Sequence, residues 1–97
     1  MMRQEPRQVL KTLKSLARAN LVAFAPEAFE SMVDEGVHEE DVLRALSTAR
    51  LTGIHVDPGV ATEYVLEGFG LDEAPLVIVC RRARRRIDVV GLFRGEP

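Results

Sequence analysis

The stretch from Leu76 to Phe93, LVIVCRRARRRIDVVGLF, sets an arginine cluster between two apolar runs. Both runs fall well short of the roughly 20 apolar residues a membrane helix needs. Both are rich in the branched residues that suit a pleated surface. The pattern predicts two neighbouring antiparallel strands joined at an arginine-rich tip. Leu76 to Cys80 is apolar without alternation, as expected of a central strand covered on both faces. Beyond the tip, Ile87, Val89, Gly91 and Phe93 alternate against Asp88, Val90 and Leu92. The rest of the chain is then expected to cover one face of the sheet these strands centre.

Upstream, the apolar period is that of helices. Val9, Leu13 and Leu16, with Leu10, Ala17 and Leu21, recur at helical spacing, and Arg7, Lys11, Lys14 and Arg18 line the opposite, solvated side. Pro6 suits the first helical position, where its missing N–H costs nothing, and Asn20 marks the end. Leu21 to Ala25 reads as an extended connector into Pro26, which opens a second helix. Ala28, Phe29, Met32 and Val33 form its apolar face, and Gly36 ends it. His38 takes the N-cap position of a third helix, with Val37 and Val42 at the spacing of a hydrophobic staple. Val42, Leu43, Leu46 and Ala49 form its buried stripe.

After Arg50 the period changes from 3.6 to 2. Leu51 to Val56 reads as a strand, Asp57-Pro58-Gly59 as a turn, and Thr62 to Phe69 as a second strand with Tyr64 and Leu66 on one face and Val65 and Phe69 on the other. The expected fold is α+β: three helices followed by a three- to four-stranded antiparallel β-meander, the helices packed on one face of the sheet. The expected organisation is a loosely attached N-terminus at residues 1–5, a single domain over 6–94, and a tail at 95–97.

The charge distribution narrows the choice of partners. Net charge is -2, but residues 1–26 carry a balance of +4, residues 27–73 one of -10, and residues 74–97 again +4. A protein acidic in the middle and basic at both ends can address partners of two signs, or satisfy itself within one fold. A single cysteine excludes an internal disulfide and fits a reducing compartment. The N-terminal MMRQEPRQ lacks the apolar segment of a secretory signal. A cytoplasmic location is expected, with no membrane partner and no cofactor.

Few residues carry chemical meaning. Arg81, Arg82, Arg84, Arg85 and Arg86 fall within six positions, and guanidinium forks match phosphate oxygens, so the cluster suits nucleic-acid backbone contact. The alternative is a solvated hairpin tip balanced by acids such as Glu39, Glu40 and Asp41. Continued alternation would put Arg82, Arg84 and Arg86 on one side. His55, Glu63 and Tyr64 would form a small acid–base group if the first two strands pair. His38 reads as a helix-start residue. Cys80 reads as a small buried hydrophobe, with the neighbouring arginines leaving a nucleophilic reading open. No Cys/His grouping has metal-ligand spacing, so no metal site is expected. Cys80 and the two histidines are all that would motivate a small-molecule enzyme.

The segment VAFAPEAFESMVDEGVHEEDVLRALSTA, followed by YVLEGF, LVIVC and RIDVVGLF, resembles a small bacterial family of unknown function grouped with the RelE-like and MqsR-like toxins. The resemblance spans about Val22 to Phe93 and rests on packing, capping and turn residues. It implies helices on an antiparallel sheet, and an endoribonuclease or an RNA-binding relative. In the first case the arginine cluster would stabilise the phosphate and His55, Glu63 or Tyr64 would move the proton. Family members usually carry a His-Ala pair early in the second helix, where this chain has Glu27-Ala28. Together with an acidic pI of about 5.7, that points to a non-catalytic interaction or regulatory module binding a protein partner or RNA. The alternative is an RNA-cleaving toxin that uses the arginine-rich hairpin for phosphate contact.

Overall fold

A computed structural model describes residues 6–56, 58–59 and 61–96. The expectations for residues 1–5, for Asp57 in the turn and for Pro97 fall outside them. The elements run α1 (Pro6–Arg18), β1 (Val22–Phe24), α2 (Pro26–Glu35), α3 (Glu39–Thr48), β2 (Arg50–His55), β3 (Glu63–Phe69), β4 (Pro75–Ala83) and β5 (Arg86–Arg94).

Among the described residues the sheet has five strands in the order β1-β5-β4-β3-β2. From β2 to β5 it is the expected antiparallel meander. The purely antiparallel expectation fails at one edge. Val22 to Phe24, read from sequence as a connector, is a fifth strand that pairs parallel with β5 in the register Val22↔Ile87. Two backbone bonds extend the seam: Ile87 donates to the Leu21 carbonyl and Ala25 to that of Val89, both at 2.9 Å. A three-residue strand shows no alternation worth reading, and its partner lies at the far end of the chain.

The helix ends follow their caps. Asn20 and Gly36 both sit in the left-handed region, and the residue after each donates back into the last turn, Leu21 to Leu16 and Val37 to Met32. This is the arrangement that satisfies orphan carbonyls at a helix end. Val37 and Val42 are both buried, as a staple requires.

All three helices contribute to a core on one face of the sheet. Val9, Leu13 and Ala17 of α1, Ala28 and Met32 of α2, and Val42, Ala45 and Leu46 of α3 meet Leu66, Leu76, Ile78, Cys80, Ile87, Val89 and Leu92. Two expected helix faces are corrected. In α2, Phe29 and Val33 point outward and are 47% and 80% exposed. In α3, Ala45 takes the buried place assigned to Leu43, because a small residue is needed where the helix meets the sheet.

That meeting is close. A Cβ on Gly68 would stand 2.0 Å from the carbonyl oxygen of Ala45, so α3 lies directly on the backbone of β3. Thr48 Oγ1 accepts the Phe69 N–H at 3.1 Å, and Asp41 Oδ1 accepts the Leu71 N–H at 3.0 Å. The helix is therefore pinned along its length.

Asp41 Oδ2 also accepts the backbone N–H of His38 at 3.1 Å, closing the start of α3. That hydrogen bond is the main reason its carboxyl is held below the ordinary 3.8. A carboxyl depressed in the folded state adds stability above its unfolded pKa, and the gain is lost as pH falls through the folded value. Asp41→Ala is expected to cost about 1–2 kcal/mol at neutral pH. Urea titrations at pH 7 and pH 3 should show that the variant loses less stability on acidification than the parent.

No helix among the described residues packs on the second face of the sheet. β4 was expected to be covered on both sides. Instead Leu76, Ile78 and Cys80 are buried while Val77 and Val79 are only half-buried. β5 departs from simple alternation: Val79 pairs Gly91 but Cys80 pairs Val89, so Val90 is extra. This bulge returns Leu92 to the core beside Val89, where unbroken alternation would have turned it outward.

Candidate functional site

The strand register decides where each candidate residue lies. His55 pairs Glu63 across β2 and β3, and Glu63 pairs Arg81 across β3 and β4. All three lie on the uncovered face. Tyr64 pairs Ile54 and Cys80 and lies on the helix face, partly buried against the core. The structure thus brings His55 and Glu63 together and turns Tyr64 away. Glu63 is already engaged: Arg81 donates to it through Nε at 3.2 Å and Nη2 at 2.9 Å.

The five clustered arginines do not act as one unit. Alternation through the tip fails, because the strands stop at Ala83 and resume at Arg86, leaving Arg84 and Arg85 as a two-residue turn. Arg81 is bound to Glu63, and Arg86 Nε lies 2.7 Å from Asp88. Arg82 pairs Ile87 and so lies on the helix side, whereas Arg86 pairs Ala83 on the uncovered side. Arg84 and Arg85 project from the tip, and neither has an ion pair among the described residues. Arg85 has φ of 63°, a conformation that costs an L-residue about 1–2 kcal/mol and that glycine adopts freely.

The acids proposed as a balance for the tip are elsewhere. Asp41, at the start of α3, holds Leu71 of the β3–β4 loop, and Asp72 of that loop faces Arg94 at 3.5 Å. This loop joins the ends of β3 and β4 remote from the Arg84-Arg85 turn. Glu39, Glu40, Asp41, Asp72 and Glu73 therefore gather at one end of a molecule 41 Å long and about 25 Å across.

Residues at the other end complete a surface that the pattern of the sequence did not join. The α1 side chains Arg7, Lys11, Lys14 and Arg18 form one stripe and border a shallow depression with Leu10. None has an ion pair among the described residues. The bond from Ile87 to Leu21 fixes the end of α1 beside the base of the arginine hairpin. The Arg18 end of the α1 stripe therefore lies near the base of the arginine hairpin. Each was visible in the sequence, and only the tertiary contact through Leu21 joins them.

Cys80 is fully buried, and burial pushes its thiol up to about 12. Alternation sends Arg81 to the opposite face. The thiol is neutral at physiological pH and is not a nucleophile. A maleimide reagent is expected to leave the native protein unlabelled over hours and to label it fully in denaturant. Rapid native labelling would contradict the packing of β4.

No group of three or more His, Cys, Asp or Glu among the described residues could hold a metal ion. No helix among them is long and apolar enough to cross a membrane. The chain matches no known family model, no curated protein and no solved structure.

Proposed function

We propose that the chain is a non-catalytic binding module whose basic end holds the phosphate backbone of a nucleic acid, with RNA favoured by the resemblance noted in the sequence. The observation that carries this reading is that Arg7, Lys11, Lys14 and Arg18 of α1 and Arg84 and Arg85 of the tip have no ion pair among the described residues, with the end of α1 tied to the hairpin base through the Leu21–Ile87 contact. Like charges three and four residues apart repel along a helix. A polyanion relieves that repulsion and releases its own condensed counterions. The acidic pI does not oppose this, because a phosphate responds to the local field, Asp41 and Asp72 lie at the far end of the sheet, and Glu63 and Asp88 near the tip are ion-paired.

Binding rather than cleavage is supported by how two of the acid–base candidates are held, although His55 and Glu63 are neighbours. Glu63 is held by Arg81, and Tyr64 faces the core. The backbone of Arg85 adds a second support. A left-handed arginine at a tight turn is tolerated where its side chain has a use.

Arg85→Gly separates folding from binding. It is expected to raise stability by up to about 1 kcal/mol and, combined with Arg84→Ala, to weaken RNA affinity at least about tenfold. Fluorescence anisotropy with labelled RNA and DNA oligonucleotides at low salt measures the second effect, and a urea titration the first. The RNA is expected to emerge intact. If neither oligonucleotide binds, the proposal fails.

A further inference from the structure

We infer that the uncovered face of the sheet is a self-complementary interface through which two copies of this chain pair. An antiparallel sheet with one face in water normally alternates polar residues outward. Here the centre of that face is Val65, Val77, Val79 and Val90, with Phe93 half-exposed at its margin. No described element covers them.

Two observations select a second copy as the occupant. The first is charge. Each arginine on this face is matched by an acid of the same chain: Arg50 with Glu67 at 3.6 Å, Arg81 with Glu63 at 2.9 Å and Arg86 with Asp88 at 2.7 Å. The face is therefore close to balance, with Glu27 at its margin as a further acid beyond these three pairs. In a two-fold interface the same patch meets itself, so a face of either sign would repel its copy and a balanced one does not. A partner chosen by charge would instead be met by the basic or the acidic end.

The second observation is size. Strands of three, six, seven, nine and nine residues, about 4.8 Å apart and about 3.4 Å per residue, give a flat footprint of roughly 550 Å². Side-chain relief raises the accessible area above that footprint, toward the ~800 Å² per partner of a stable interface. Two such faces pack about 10 Å apart with their side chains interleaved. The sheet edges are poorer candidates for pairing, since β1 has three residues and β2 is broken by a register shift at Thr52. Short and bulged edges resist strand addition.

Sedimentation of the full chain tests the inference. At tens of micromolar the parent is expected to sediment at twice its 10.8 kDa mass. Val79→Lys is expected to weaken pairing at least about 100-fold while leaving the circular dichroism spectrum unchanged, because Val79 faces away from the core. Should that variant fail to fold, the Val77→Thr/Val79→Thr pair takes its place, with at least about tenfold weakening expected. Val33→Lys, on the outer side of α2, is expected to leave pairing intact. A monomeric parent at about 200 µM, a scale at which an ordinary dimer is saturated, overturns the inference. So does a folded Val79 variant that still pairs, or dissociation caused by Val33→Lys.

Discussion

Gly68→Ala is expected to destabilise the protein by about 3 kcal/mol, and Gly68→Val to prevent folding. The added methyl of the first would lie 2.0 Å from the Ala45 carbonyl oxygen and 2.7 Å from its carbonyl carbon. Those are backbone atoms inside α3, so no side-chain rotation relieves the contact. Overpacking of a tight core usually costs about 1–3 kcal/mol, and more when the backbone must move. Movement of α3 would also break the bonds of Thr48 to Phe69 and of Asp41 to Leu71. A domain of this size has about 5–15 kcal/mol in all, so the alanine variant should fold with a visibly lower urea midpoint. Unchanged stability would mean that α3 does not rest on β3 as described.

Ile87→Ala is expected to cost about 3–4 kcal/mol, within the usual range for removing a buried branched side chain. Ile87 is fully buried. It follows Arg86 directly, pairs Arg82 in β4 and Val22 in β1, and its N–H holds Leu21 after α1. The cavity would open where the hairpin and α1 meet. The effect should therefore reach beyond global stability: hydrogen exchange at Leu21 to Phe24 should speed up before exchange in α3 does. Equal acceleration across the molecule would show that the seam between α1, β1 and β5 is not a separate weak point.

The helices were legible because their signals are local. Pro6, Pro26, Asn20, Gly36 and the Val37–Val42 staple act within a few residues of where they stand. The meander was legible from its period. What escaped depends on long-range contacts. β1 is a strand only because β5 lies beside it, and Leu92 is buried only because a bulge at Val90 shifts the pleat. Phe29 and Val33 have the spacing of a buried face, but α2 meets the sheet through Ala28 and Met32. The arginine cluster was plain in the sequence. Its division into bound Arg81 and Arg86 and projecting Arg84 and Arg85 required the register. The lysines and arginines of α1 read as an ordinary solvated side until the fold set their Arg18 end near the base of the hairpin.

The salt dependence of RNA affinity tests the proposed role of the basic end most directly. For single strands the slope of log K against log salt is about -0.7 for each phosphate neutralised. Four to six contacts by the cations of α1 and the tip then give a slope of about -3 to -4. Removing Arg84 and Arg85 should make it shallower by about 1.4, with Arg50→Ala, an ion-paired arginine of the uncovered face, as the unchanged control. A parent slope near zero, or a slope that Arg50 sets and the tip does not, would contradict it.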